Sequence, residues 1–249
     1  STHPCPEQPI RHRSGLLAKG SLDAYIHVIR PGSGAGPSAE GLSPVPRPST
    51  PEVAWTRREA MRTSALWLTI LAFGLTAAGS TSFALHFYAF ASDLGLSAGA
   101  AALAVSTQAT TSLCAKLLWG FATDKFPVRR CGIAIFCFYT FGMVTTALLT
   151  LWPSFWLIYL VAAIDGFALG GTTLVQEVLW ANYYGRLALG AIRSVGLPIT
   201  IVFSASGPIF AGWVFDTFNS YQFAWIGFGL LSALGAILIF RAHPPKKGT

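Results

Sequence analysis

From residue 64 onward the chain is a series of long apolar runs separated by short polar ones. A bilayer core of about 30 Å takes about 20 helical residues to cross. Six runs reach that length, at 65–90, 99–121, 131–151, 155–177, 195–214 and 222–240. They are continuous and do not alternate, which predicts helices and not barrel strands. The segments between them, 91–98, 122–130, 152–154, 178–194 and 215–221, are short. The pattern therefore predicts an all-α membrane protein with six transmembrane helices.

Residues 1–55 differ in kind. They hold nine of the fifteen prolines, among them Pro44, Pro46, Pro48 and Pro51, and a Gly/Ser run over 31–37. No stretch of membrane length occurs there, and no signal-peptide pattern. Such a composition buries too little apolar surface to offset the entropy of ordering, so 1–55 is expected to be a flexible cytoplasmic linker or tail. Residues 22–29 would form at most a short strand or helical turn. The six-helix bundle is expected to occupy 56–249.

Composition agrees with a membrane chain. Of the 249 residues, 53% are apolar and 11% charged, with 25 Gly, 18 Phe and 8 Trp. Soluble domains carry about 25% charged residues, so a soluble globule, a disordered chain and a disulfide-stapled fold are all excluded. The four cysteines (Cys5, Cys114, Cys131 and Cys137) make no metal-ligand spacing. Neither a metal nor a cofactor is expected.

The net charge of +7 follows the loops. One side carries Arg57, Arg58, Arg62, Lys125, Arg129, Arg130, Arg186, Arg193, Arg241, Lys246 and Lys247. The three loops of the other side carry no Lys or Arg, only Asp93 and Asp216. By the positive-inside rule both termini are cytoplasmic. The basic excess is thereby explained without nucleic acid, and Lys246 and Lys247 suit a lipid headgroup.

An offset of 92 residues superimposes Gly120, Asp124 and Phe126 on Gly212, Asp216 and Phe218, and Gly74, Gly79 and Thr81 on Gly166, Gly171 and Thr173. Three helices lie between the copies. An odd number inverts the second copy, which predicts a 3+3 inverted repeat of the kind transporters use. Recurrent glycines on packing faces are the alternative explanation.

Ionisable groups within the runs are few: His86, Lys116, Asp165 and Glu177. A charge at a membrane helix centre costs about 2.5–3.5 kcal/mol on insertion scales. Asp165 therefore faces protein or water, on a stripe with Gly166, Gly170, Thr172, Thr173, Gln176 and Glu177. Either a substrate or proton pathway or a structural hydrogen-bonding stripe accounts for it. His86, near the outer end of the first run, suits a proton relay, an anion contact or a hydrated interfacial site beside Tyr88. Lys116, below Gln108, Thr111 and Ser112, either snorkels to the interface or draws an anion into a cavity. Glu177 ends its run where the helix dipole disfavours an anion, so a cationic partner is expected among Arg186, Arg129 and Arg130. Gly196, Pro198, Gly207 and Pro208 predict a kinked or discontinuous fifth helix.

The segment Gly120-Phe-Ala-Thr-Asp124-Lys125-Phe-Pro127-Val-Arg129-Arg130 resembles the cytoplasmic-loop signature of the major facilitator superfamily. In that signature a Gly precedes an Asp by four residues, a basic residue follows the Asp, and two basic residues close the loop. Pro127 stands where the signature has Gly. The resemblance implies that Gly120 lets helices close together and that Asp124 caps a neighbouring helix and pairs with Arg. It implies a cytoplasmic gate of Gly120, Asp124, Lys125, Arg129, Arg130, Glu177 and Arg186.

The long polar stretch before the first run looks like the loop between the two six-helix halves of such a transporter. The chain, whose first residue is Ser, is thus expected to be a C-terminal half fragment, helices seven to twelve. Its partner would be the N-terminal half or a second copy. Residues 180–193, with Gly207, Pro208 and Gly212, are similar to the bacterial monocarboxylate and oxalate–formate branch. Lys116 stands where that branch has a basic residue.

The resemblance implies a symporter or antiporter of a small organic anion, such as a monocarboxylate, in the bacterial inner membrane. The substrate or proton pathway would run through His86, Gln108, Lys116, Asp165, Thr172 and Gln176. A six-helix channel or membrane scaffold without coupled transport is the alternative. No HExxH, GxSxG or paired-carboxylate motif suggests an enzyme.

Overall fold

The computed structural model of the chain describes residues 55–245. The expected linker up to residue 54, the 22–29 segment and the Lys246–Lys247 pair lie outside the described residues. A short helix, α1 (Arg57–Met61), comes first. A reciprocal cap starts it: the Thr56 amide donates to Glu59 Oε2 at 2.8 Å, and the Glu59 amide donates to Thr56 Oγ1 at 3.3 Å.

Six long helices follow: α2 (Ser64–Asp93), α3 (Ala98–Lys125), α4 (Val128–Leu149), α5 (Phe155–Tyr184), α6 (Leu189–Phe218) and α7 (Gln222–Arg241). The described residues contain no strand. Five of these helices are long and apolar enough to cross a membrane. The exception is α3, which has the length but carries Ser106, Thr107, Gln108, Thr110, Thr111, Ser112 and Lys116. Helices suit lipid because each closes its own backbone hydrogen bonds.

Two expectations need correction. The loop expected over 178–194 shrinks to Gly185 and a single 3-10 turn, Arg186–Ala188. Bilayer thickness limits the apolar run and not the helix, so α5 carries Asn182 and α6 carries Arg193 on helical turns past the apolar zone. Gly185 ends α5 with φ +83°, a conformation open to glycine. The fifth helix is also not discontinuous: α6 runs unbroken with Pro198 and Pro208 inside it. In membrane helices, neighbouring helices and local adjustment re-satisfy the backbone groups that proline frees.

Sequence neighbours are not the main packing partners. α3 lies chiefly against α5, α2 against α6, and α4 against α7, with further contacts of α4 on α5 and α2 on α7. Trp180, Trp225, Tyr139, Tyr184 and Phe73 are fully enclosed. Lipid gives apolar helices little reason to associate, so close packing of small residues matters more than in water. Four sites show it. A side chain at Gly166 would collide with the Gln108 carbonyl of α3, and one at Gly170 with the Ser112 carbonyl. One at Gly207 would collide with the Ala78 carbonyl of α2, and one at Gly196 with the Trp180 ring, 2.6 Å away.

A matched substitution tests this packing. Gly166→Ala and Gly207→Ala should each lower stability by about 1–3 kcal/mol through overpacking. Gly120→Ala, where nothing lies within 4 Å, should stay within about 0.5 kcal/mol of the parent. Thermal unfolding of the purified protein in detergent reads all three.

Candidate functional site

Asp165 lies on α5, 1% exposed. Gly166 beside it lets α5 settle on the backbone of α3 at Gln108. That contact brings the Gln108 amide to the carboxylate, and Nε2 donates to Asp165 Oδ2 at 2.7 Å. On the opposite side Gly142 of α4 faces the Asp165 backbone. The second oxygen, Oδ1, is buried and takes no hydrogen bond. Enclosure without a full set of partners is costly for such a group, about 1–3 kcal/mol for a neutral one and more for a charge.

Tyr139 of α4 reaches the same place. Its hydroxyl is buried and makes no hydrogen bond. It stands beside the side chains of Ser80 on α2 and Thr172 on α5, within the field of Asp165. Ser80 and Thr172 give their protons to the carbonyls of Ala77 and Ala168, so their lone pairs stay available to a donor. Thr76 Oγ1 and Gln176 Nε2 are likewise buried and unpartnered. Four helices thus converge on a polar centre around Asp165. It unites three of the residues singled out from sequence: Gln108, Asp165 and Thr172. Tyr139 does not stand out in the sequence, because a phenol is common in membrane helices; its one signal is that it is the lone phenol of the apolar run 131–151.

His86 lies elsewhere, near the end of α2 that precedes Asp93. Its Nε2 is 3.2 Å from the Pro208 carbonyl and its Nδ1 is 3.2 Å from the Tyr221 hydroxyl. A carbonyl has no proton to give, so Nε2 donates to it. Burial, with the carboxylates of Asp93 and Asp216, raises the Tyr221 hydroxyl above its ordinary pKa. The Tyr221 hydroxyl and His86 Nδ1 thus share one hydrogen bond. His86 is therefore tied to Tyr221 and not to Tyr88. It bridges α2, α6 and the start of α7.

Lys116, two helical turns beyond Gln108 on α3, is exposed. Among the described residues neither it nor Asp124 makes an ion pair. Three expectations for this end of the bundle change. Gly120 has open space around it, so no described helix closes on it. Asp124 caps no neighbouring helix, since α4 starts at Val128, after Pro127, without a side-chain cap. Glu177 pairs with Arg193, at 3.1 Å, and not with Arg129, Arg130 or Arg186. The reason is helical geometry: α6 begins at Leu189, which puts Arg193 one turn in, alongside the end of α5. Both side chains are partly exposed, at 49% and 28%, so the pair contributes about 0.2–1 kcal/mol at most.

Arg129 is engaged within the bundle. Its Nε donates to the Ile239 carbonyl at 3.1 Å, and its guanidinium lies over the Phe240 ring at 5.3 Å. Tyr183 donates to the Ala242 carbonyl at 2.6 Å. Together they satisfy carbonyls at the C-terminus of α7, where a cation is favoured. Arg186, with Glu177 and Asn182, lines an open cleft of about 550 Å³ between the end of α5 and the start of α6. Lys125 and Arg130 are exposed.

No curated protein sequence matches the chain at a significant level. The sequence model of the Major Facilitator Superfamily matches residues 37–249. Long apolar helices, an ionisable residue enclosed among them and a match over most of the chain agree: the protein is an integral membrane protein that belongs to the Major Facilitator Superfamily of membrane transporters.

Proposed function

We propose that the chain is the C-terminal, six-helix half of a secondary transporter for a small organic anion such as a monocarboxylate. It works by alternating access as a symporter or antiporter. The observation that carries the coupling is Asp165: a carboxylate enclosed among membrane helices, held at one oxygen and unpartnered at the other. A proton there removes a buried charge, so protonation and helix arrangement are linked. Tyr139, Gln108 and Thr172 complete the proton site. Lys116, exposed on α3 and unpaired among the described residues, is the proposed anion contact, on the pathway with Gln176.

His86, expected on that pathway, serves instead as a tie between helices at the outer end. The proposed cytoplasmic gate keeps Gly120, Asp124, Lys125, Glu177 and Arg186. All of them lie at the basic end, and Asp124 and Gly120 present open surfaces on which an N-terminal half, or a second copy, would close. Exposed Leu113, Leu117, Ile201 and Ile209 extend that surface along α3 and α6.

The proposed 3+3 inverted repeat is supported by packing. Exchanging α2 with α5, α3 with α6 and α4 with α7 turns the main set of helix contacts into itself. Residues follow the same offset of 92. Ala78 meets Gly207, and their counterparts Gly170 and Ala115 also meet. Ser80 and Thr172, another such pair, flank Tyr139. The one-sided basic charge supports cytoplasmic termini, with residues 1–55 as the cytoplasmic linker; the proposed location is a bacterial inner membrane.

Uptake of radiolabelled short monocarboxylates by proteoliposomes containing the complete transporter tests this reading. Lys116→Ala should abolish uptake, by 10-fold or more on the order expected for a lost charged contact, with protein yield unchanged; parental uptake would reject the anion contact.

The proton site has its own readout. Asp165→Asn should leave uptake independent of external pH, and a retained pH response would remove Asp165 from the coupling. Tyr139→Phe should keep uptake and shift its pH midpoint. A profile that superimposes on the parent's would restrict Tyr139 to packing.

A further inference from the structure

The helices α3 and α4 are joined by the turn at Phe126–Pro127, yet each packs mainly elsewhere, α3 on α5 and α4 on α5 and α7. Between them, at the basic end, a groove of about 290 Å³ remains open. Trp119, Ala122 and Phe126 form one wall; Cys131 and Ala134 form the other; Arg130 stands at the rim. The walls are apolar throughout. Even the Trp119 indole N–H is turned away, donating to the Phe167 carbonyl at 2.9 Å. Phe126 at the mouth is 58% exposed.

The two arginines beside this groove differ. Arg129 is committed to the end of α7 through Ile239 and Phe240. The Arg130 guanidinium is exposed and makes no ion pair or hydrogen bond among the described residues. The groove therefore combines an apolar lining with one uncommitted guanidinium. A complementary ligand has a hydrocarbon chain and an anionic head. Arg matches phosphate oxygens with paired N–H donors. Basic side chains at the membrane surface attract anionic lipid.

We infer that the α3–α4 groove is a binding site for an anionic phospholipid, with an acyl chain between Trp119 and Ala134 and the phosphate on Arg130. A free anion would use Arg130 but not the groove. A neutral lipid would use the groove but gain little from Arg130.

Native mass spectrometry of the purified, delipidated full chain, titrated with phosphatidylglycerol or with phosphatidylcholine of the same acyl chains, tests the assignment. The expected result is preferential retention of phosphatidylglycerol, by about fivefold for one basic contact near the surface. Arg130→Ala should erase the preference and Arg130→Lys should restore part of it. Ala134→Trp, which fills the slot, should reduce retention of both lipids. Arg58→Ala, a basic residue at the same end but away from the groove, should change nothing. Equal retention of the two lipids by the parent, or a preference that survives Arg130→Ala, would overturn the inference. So would displacement of the bound lipid by inorganic phosphate alone, which would assign the site to a free anion. Should Ala134→Trp fail to fold, the headgroup comparison and the Arg130 pair still decide the matter, because Arg130 is exposed.

Discussion

Two apolar helices in a bilayer gain little by leaving lipid for each other. Their association has to come from backbone-level fit, and in this bundle the fit is made by small residues. Gly166 and Gly170 bring α5 onto the Gln108 and Ser112 carbonyls of α3; Gly207 brings α6 onto the Ala78 carbonyl of α2. The chemistry depends on the same contacts. Gln108 reaches Asp165 because Gly166, its neighbour, allows the two backbones to meet. Any side chain there would separate the helices and leave a carboxylate with neither of its oxygens bonded. Packing and the polar centre are therefore one constraint and not two.

Legibility of the sequence followed the physics of each feature. The helices were visible because the bilayer sets a length that apolar runs must meet, and their cores fall where that length predicts. Their ends were less visible, since a helix continues into water without an apolar signature, as α5 does to Tyr184. Asp165 stood out because a lone carboxylate in an apolar run is expensive. Tyr139 did not, because a phenol is common in membrane helices and only its neighbours make it polar in context. The partner of Glu177 is not legible because the apolar run begins at residue 195, whereas α6 already starts at Leu189. The family was legible from Gly120, Asp124 and the basic residues after them, and the superfamily match extends over the same residues.

Charges at the basic end divide into two sets. Arg129 and Arg193 are spent inside the bundle, one on the carbonyls that end α7 and the other on Glu177. Lys116, Asp124, Lys125 and Arg130 project outward without an ion pair among the described residues. A charge engaged internally stabilises one half on its own. A charge left outside is available to whatever meets that surface: substrate, lipid, or the opposing half that the proposed architecture supplies. The signature segment thus serves two purposes within eleven residues. Sequence alone does not separate them, because both sets have the same composition.

Asp165 ties these points together. A buried network that is only half satisfied is less stable than either a complete one or an apolar core. In the proposed coupling, another arrangement of the helices supplies a partner to the second oxygen. One donor able to fill that role is close at hand and without a partner too, the Tyr139 hydroxyl. That donor sits on α4, whereas the existing bond runs to α3. Moving from one set of partners to the other would shift α3 relative to its neighbours. A proton on Asp165 changes which set is preferred, since a carboxylic acid donates where a carboxylate only accepts. The proposed coupling then needs no long-range wire. It needs one side chain with two alternatives, and helices whose close contacts transmit the choice to the face that carries Lys116.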